Sequence, residues 1–134
     1  MENLVLYMPA EFRNGSFVSN PRLKFDPGKT TTTYHVEFSR TCGIDSLGEI
    51  ESAIRKGARA EVFEGFHRRN SEVASNCTHM LAFTFGSRSG TYEPSQEEFR
   101  DARKAGLKDG GTAHTWGEAW KPKSKRHVNL FSLA

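Results

Sequence analysis

The stretch Met80-Leu81-Ala82-Phe83-Thr84-Phe85 limits the folds open to this chain more than any other segment. It is apolar at every position except Thr84, so it lacks the alternation of a strand with one face in water. Nearly continuous apolar strands are typical of parallel sheets that are covered on both faces. Because parallel strands are joined by crossover connections, usually helices, the stretch predicts an α/β fold.

The segments around this stretch alternate in the way that such a fold requires. Their hydrophobic patterns predict strands at residues 3–8, 29–38, 60–63 and 127–133, and helices at 46–58, 68–77, 96–107 and after 112. The helix at 96–107 is highly charged and only narrowly apolar, so we expect it on the surface. The order of these elements predicts an α/β sandwich with a mainly parallel sheet and an inserted surface helix.

Two of these elements rest on local signals. Residues 34–38 alternate apolar and polar, and the segment is rich in threonine and aromatic residues, which is typical of a strand. Ser46 and Glu49 form a capping box at the start of the next helix, and Gly57 is suited to cap its end.

Length and composition favour one soluble domain, spanning residues 1–134, with a loop or arm at about 9–29 and an insertion at about 87–109. The apolar runs are too short to span a membrane, and Met1 is followed by Glu2 and Asn3 where a signal sequence would be basic and then apolar. Two cysteines make no disulfide framework. We therefore expect a cytoplasmic protein that does not act on membranes. Its net charge of +3 fits an anionic ligand and does not require one.

A glycine turn, Asp109-Gly110-Gly111-Thr112-Ala113-His114-Thr115-Trp116, precedes the last predicted helix. Glycines let the backbone approach a ligand closely, and Thr112 is suited to cap the helix. A helix N-terminus presents N–H groups and the positive end of the helix dipole, which favours anions. This turn is a candidate phosphate site, and an ordinary capped loop is the alternative. The turns at 39–45, 65–70 and 86–112 would line one crevice at the carboxyl ends of the strands.

Four short motifs occur in an informative order: Gly43-Ile44-Asp45-x-Leu47, Arg69-Asn70-x-x-Val73-Ala74, Leu81-Ala82-Phe83 with Gly86, and Gly111-Thr112-x-x-Thr115-x-x-x-Ala119. Over residues 34–133 the chain thereby resembles the SLOG superfamily. This Rossmann-like group includes the "lonely guy" phosphoribohydrolases, DNA-processing protein A and ligand-sensing domains of bacterial defence systems. The resemblance implies a Rossmann-like three-layer sandwich that binds a nucleotide or nucleotide-derived phosphate ligand.

The resemblance also implies roles for nine residues. The phosphate would be held by the turn and the helix after it, through Gly110, Gly111, Thr112 and Thr115. The site would be bordered by Arg69, Asn70, Gly43, Asp45 and Gly86. Arg69 would pair with phosphate bidentately, and Asn70 would bind ribose or base. The alternatives are a solvated helix residue for Arg69 and a helix cap or local turn for Asn70.

The sequence departs from the family pattern in ways that bear on catalysis. The phosphoribohydrolases have a glutamate shortly after the Gly-Thr pair, taken to be catalytic, and Thr115 occupies that place here. Glu64, Glu72 and Glu118 are substitutes without a motif. We expect a sensor, carrier or sequestering protein more than an enzyme, with N-glycosidic hydrolysis of a nucleoside monophosphate as the alternative. The long arm and the long link at 87–109 are further departures, and Gly90-Thr91 is a rival phosphate turn.

Other chemistry has weaker support. The five histidines show no close pair and no cluster with cysteine or carboxylate, so we expect no metal and no other cofactor. The basic segment 121–126 beside Trp116 and Trp120 suits nucleic acid, although such segments are more often solvated helix ends with tryptophans in the core. The arm and the insertion contain enough apolar residues to contact a partner, so a homo-oligomer or a non-catalytic subunit of a larger assembly is a further alternative.

Overall fold

The computed structural model describes residues 3–133, which contain seven strands, five α-helices and one 3-10 helix. The backbone divides into two compact units, one up to Arg69 and one from Asn70. Both units combine helices with small sheets, so the chain is an α/β protein. One domain over residues 1–134 stays a prediction. Within the described part, no helix combines the length and the apolar character needed to cross a membrane.

The first unit is built on a parallel pair of strands. Its elements are β1 (Val5–Met8), β2 (Phe12–Arg13), β3 (Ser16–Phe17), α1 (Pro27–Cys42), α2 (Ser46–Arg55) and β4 (Arg59–Val62), and α3 (Phe66–Asn76) runs across the boundary. Leu6 of β1 lies opposite Ala60 of β4. The predicted strands at 3–8 and 60–63 and the helix at 46–58 are confirmed. The apolar side of α2, including Leu47, Ile50 and Ile54, packs on Met8 and Phe17.

The predicted strand at 29–38 is wrong, because these residues lie within helix α1. The Asp26 carboxylate accepts a hydrogen bond from the Lys29 N–H at 3.0 Å, and Pro27 occupies the first helical position. At the other end Gly43 adopts a φ of 70° and donates its N–H to Ser39. These end signals outweigh the strand propensity of the threonines and aromatic residues between them.

The predicted arm contains regular structure. Strands β2 and β3 form an antiparallel hairpin, and its turn is Asn14-Gly15 with φ values of 53° and 76°. Positive φ at both central residues is typical of tight hairpin turns. Phe17, the last residue of β3, is buried in the core of the first unit.

The second unit is a three-stranded mixed sheet covered on one face. After α3 it contains β5 (His79–Thr84), β6 (Gly90–Tyr92), α4 (Glu97–Arg100), α5 (Gly111–Glu118), β7 (Ser124–Asn129) and a 3-10 helix (Leu130–Leu133). The central strand β7 pairs in parallel with β5 and antiparallel with β6. The helices predicted at 68–77 and after 112 are confirmed, and so is the strand at 80–85. The expectation that both faces of this strand are covered is wrong, because Leu81 and Phe83 on its outer face are exposed. Trp116 and Phe99 lie at the centre of the core.

The predicted surface helix at 96–107 is wrong in length and in burial. It stops at Arg100, because the Asp101 side chain accepts the backbone N–H groups of Arg103 and Lys104 and holds the chain in a turn. Gly106 has a φ of 85° and turns the chain again. Phe99, Ala105 and Leu107 are 1%, 0% and 5% exposed, so this segment closes the core of the second unit.

The predicted final strand at 127–133 is shifted. Strand β7 begins at Ser124, inside the basic segment, and ends at Asn129 before the 3-10 helix. Lys125 and His127 point into the core and are fully buried, while Arg126 between them is exposed. Helix α5 ends at Glu118, so Trp120 leaves the helical face that buries Trp116 and is 74% exposed.

Candidate functional site

The residue before helix α5, Gly110, has a backbone conformation that only glycine adopts without strain. Gly110 has φ 147° and ψ −166°, and a Cβ there would meet open space, so the requirement is conformational. No side chain caps the helix. Thr112, predicted as the cap, is instead exposed inside the helix. The first intrahelical bond runs from the His114 N–H to the Gly110 carbonyl at 3.0 Å, which leaves the preceding N–H groups without intrahelical acceptors.

An open groove of about 570 Å³ lies at this end of α5. It is lined by the end of α4, the turn after it and the first turn of α5, through Arg100, Asp101, Ala102, Arg103, Asp109, Gly110, Ala113 and His114. The volume lies in the range of small-molecule sites. Two arginines therefore share a groove with the positive end of a helix dipole.

The charged groups of the groove are unequally engaged. Arg103 lies 3.4 Å from Asp109, and both side chains are more than 80% exposed. The Asp101 carboxylate accepts two backbone N–H groups and thereby fixes the turn. Arg100 is exposed, and within residues 3–133 no carboxylate lies within ion-pair distance of its guanidinium. This cation is available to an anion in the groove.

Two residues of helix α3 in the second unit, Asn70 and Ser71, lie close to α5. The Asn70 side-chain nitrogen lies 3.2 Å from the position that a Cβ on Gly111 would take, so the glycine allows this close approach. The Ser71 hydroxyl donates to one oxygen of Glu118 at 2.9 Å, and His114 Nε2 lies 3.1 Å from the other. Glu118 is therefore fixed next to a histidine that lines the groove.

Two other predicted ligands have internal roles in the second unit. The Thr115 side chain is buried, and its hydroxyl donates to the Gly111 carbonyl at 2.8 Å. Gly86 donates its N–H to the Asn129 side chain at 3.1 Å, and a Cβ there would overlap the carbonyl oxygen of Gly106. The rival pair Gly90-Thr91 lies in strand β6, so it does not begin a helix.

Three predicted site residues belong to the first unit. Gly43 ends α1, and Asp45 begins α2 by accepting the N–H of Gly48 at 3.0 Å, a capping role that the sequence had suggested for Ser46. The Arg69 guanidinium lies 5.8 Å from the ring centroid of Phe66, and burial lowers its pKa. Its Nε is buried without a hydrogen-bond partner among the described residues.

The other glutamates weighed as catalytic acids lie elsewhere. Glu64 lines a cavity of about 240 Å³ in the first unit, together with Glu11 and Asp26. Glu72 accepts a hydrogen bond from Asn76 one turn further along α3. Among residues 3–133, no three His, Cys, Asp or Glu side chains are grouped so that they hold a metal ion.

Of the predicted ligands, only Gly110 lines the groove itself. Arg100 and Arg103 were missed, because they fell in a segment predicted as a charged surface helix. Their spacing of three residues gave no signal of its own, since it is common on solvated helices. The two arginines line the groove because the chain turns at Asp101, between them.

Comparisons with known proteins add little to this picture. No protein-family model matches the chain, and no solved structure matches it. An uncharacterized protein of Acanthamoeba polyphaga mimivirus is 29% identical over 128 residues. These residues are 95% of this chain and 57% of that relative, so the chain spans little more than half of the relative's length.

Proposed function

We propose that the protein binds a nucleotide or nucleotide-derived phosphate ligand in the groove at the start of α5, as a cytoplasmic sensor, carrier or sequestering protein. The main support is that a helix N-terminus without a side-chain cap faces a groove lined by two arginines. A phosphate there would accept hydrogen bonds from the N–H groups of Gly111, Thr112 and Ala113, and Arg100 would neutralise its charge.

The carboxylates of the groove favour a nucleotide over inorganic phosphate. Asp109 is exposed at the rim and is only loosely paired with Arg103. Carboxylates accept hydrogen bonds from ribose hydroxyls and base amino groups. They repel any further negative charge near Asp109, so the part of the ligand beyond its phosphate should be neutral. A ligand that places phosphate at the helix and a neutral, donor-rich group near Asp109 satisfies both ends.

We also propose that the fold is a Rossmann-like three-layer sandwich related to the SLOG superfamily. Two features support it. The pairs β1–β4 and β5–β7 are each parallel, and in each pair the connection between the strands contains helices. The proposed phosphate turn also begins a helix, as the phosphate turns of other α/β folds do.

Isothermal titration with AMP, ADP, GMP and inorganic phosphate tests the proposed ligand class. We expect saturable binding of at least one nucleotide, and a loss of about tenfold or more in affinity for Arg100→Gln, because a charged hydrogen bond contributes about 1.5–3 kcal/mol. Arg88→Gln removes the same charge from an exposed site that does not line the groove, and it should bind as wild type does. Equal weakening in both variants would show that only general charge matters.

The pairing of His114 with Glu118 favours one second candidate, N-glycosidic hydrolysis of a nucleoside monophosphate. A carboxylate that orients a histidine beside a groove is a common arrangement for acid–base catalysis. Release of free base from nucleoside monophosphates tests it. Loss of release in Glu118→Gln, with ligand binding retained, would favour the enzyme; binding without release in wild type favours the sensor, carrier or sequestering protein.

A further inference from the structure

The outer face of the β5–β7 pair is apolar and exposed. Leu81 and Phe83 of β5 point away from the core and are 57% and 51% exposed. They lie opposite Arg126 and Val128 of β7 in the parallel register. The next outward position, Phe85, is 52% exposed and lies 5.1 Å from the ring of Phe131. We define Leu81, Phe83, Phe85, Arg126, Val128 and Phe131 as the aromatic sheet face.

The only charge on this face among the described residues is a cation. Arg126 lies beside Leu81 and is exposed. No carboxylate of residues 3–133 lies within ion-pair distance of it. Lys121 and Lys123 lie in the chain just before β7 and are exposed, and the Lys123 N–H donates to the carbonyl of Thr78, the residue before β5.

We propose that the aromatic sheet face binds single-stranded nucleic acid, with bases stacked on Phe83 and on the Phe85–Phe131 pair and a phosphate on Arg126. Aromatic rings stack on bases of any sequence, and a guanidinium pairs with phosphate. This site is separate from the groove at α5 and does not depend on a nucleotide binding there.

The charge on the face argues against a second copy of the chain as the occupant. A symmetric dimer through this face would bring the same surface patch together from both subunits. It would bury Arg126 against a copy of the same face, which has no carboxylate to pair with it, and an unpaired buried charge costs several kcal/mol. A polyanion instead supplies the missing partner and contacts the apolar rings through its bases.

The spacing of the rings limits how the strand lies. Alternate residues of a strand are about 7 Å apart, about twice the 3.4 Å rise between stacked bases. Neighbouring bases must therefore separate to use the rings at Phe83 and Phe85. An extended single strand meets this condition and a duplex does not, so duplex DNA of the same length should compete poorly.

Fluorescence anisotropy with labelled 12-nucleotide oligo(U) and oligo(dT) tests the proposal at several salt concentrations. We expect binding of at least one oligonucleotide and at least about fivefold weaker binding for Phe83→Leu, which keeps an apolar side chain and removes the ring. Arg126→Gln should weaken binding and reduce the salt slope by about one. Arg88→Gln, which removes the same charge from an exposed residue that is not part of the aromatic sheet face, should bind more tightly than Arg126→Gln, and thermal melts check that each variant folds.

Three results would overturn the proposal. The first is no binding of either oligonucleotide at low salt. The second is a folded Phe83→Leu that binds as wild type does. The third is a stable dimer in sedimentation experiments that Phe83→Ser dissociates, because the face would then be the contact between two copies. Preference for RNA or for DNA supports the proposal equally and identifies the sugar.

Discussion

Lys125 should make the stability of the second unit depend on pH in the alkaline range. Its side chain is fully buried, and its Nζ donates to the backbone carbonyls of Phe99 at 2.6 Å and Trp116 at 2.5 Å. The ammonium also lies 4.2 Å from the ring centroid of Phe99. Burial lowers the pKa of Lys125 from 10.5 to about 8.

The sign of the effect follows from the two pKa values. Between pH 8 and 10.5 the unfolded chain keeps the proton on this lysine and the folded protein gives it up. The free energy of unfolding therefore rises with pH across this window and levels off above it. This change in pKa corresponds to about 3–4 kcal/mol at most, and we expect about 2 kcal/mol after relaxation around the charge. A neutral amine still has two N–H donors for the two carbonyls.

Urea denaturation followed by tryptophan fluorescence measures this dependence, because Trp116 contacts Lys125 directly. The test compares wild type with Lys125→Met at pH 7.5, 9 and 10.5, with Lys123→Met as the exposed control. Burial raises the pKa of Cys77, which gives an opposite slope, and the charge of Lys125 opposes that rise. All three proteins are therefore compared in a Cys77→Ala background. If the free energy of unfolding changes with pH in the same way in wild type and Lys125→Met, the reasoning is refuted. A rise with pH that is lost in Lys125→Met and kept in Lys123→Met supports it.

Three further predictions concern stability. Gly110→Ala should destabilise by about 1–3 kcal/mol in chemical denaturation, because its φ of 147° suits only glycine, whereas Gly117→Ala in the same helix should be neutral or stabilising. Thr84→Val should cost about 1–3 kcal/mol by removing the buried hydroxyl that bonds His127 at 2.7 Å, and an unchanged melting temperature would count against that role. Asp45→Ala should cost about 1 kcal/mol and Asp45→Asn much less, since asparagine caps helices equally well.

The helices and strands with strong local patterns were predictable. The apolar faces of residues 46–58 and the continuous apolar stretch at 80–85 both gave elements of the expected type. Residues 29–38 failed because strand propensity was weighed without the end signals Asp26-Pro27 and Gly43, which were present in the sequence. Propensity is a weak guide when helix caps point the other way.

The parts that depend on distant contacts were not predictable. Lys125 lies in a basic segment that suggests solvent, yet its place on the inner side of β7 puts it under Phe99 and Trp116. The groove needs the turn at Asp101, which brings Arg100 to the first turn of α5. No local pattern encodes either arrangement, because both follow from how separate segments pack.

Amide NMR spectra during titration with AMP test the proposed phosphate site most directly. We predict saturable shifts that are largest for the backbone N–H groups of Gly111, Thr112 and Ala113, together with the Arg100 side chain, because these groups would donate to the phosphate. Adenosine, which lacks the phosphate, should leave those amides unmoved. Millimolar AMP that leaves the three amides unchanged, or that shifts only residues away from the groove, would contradict the account.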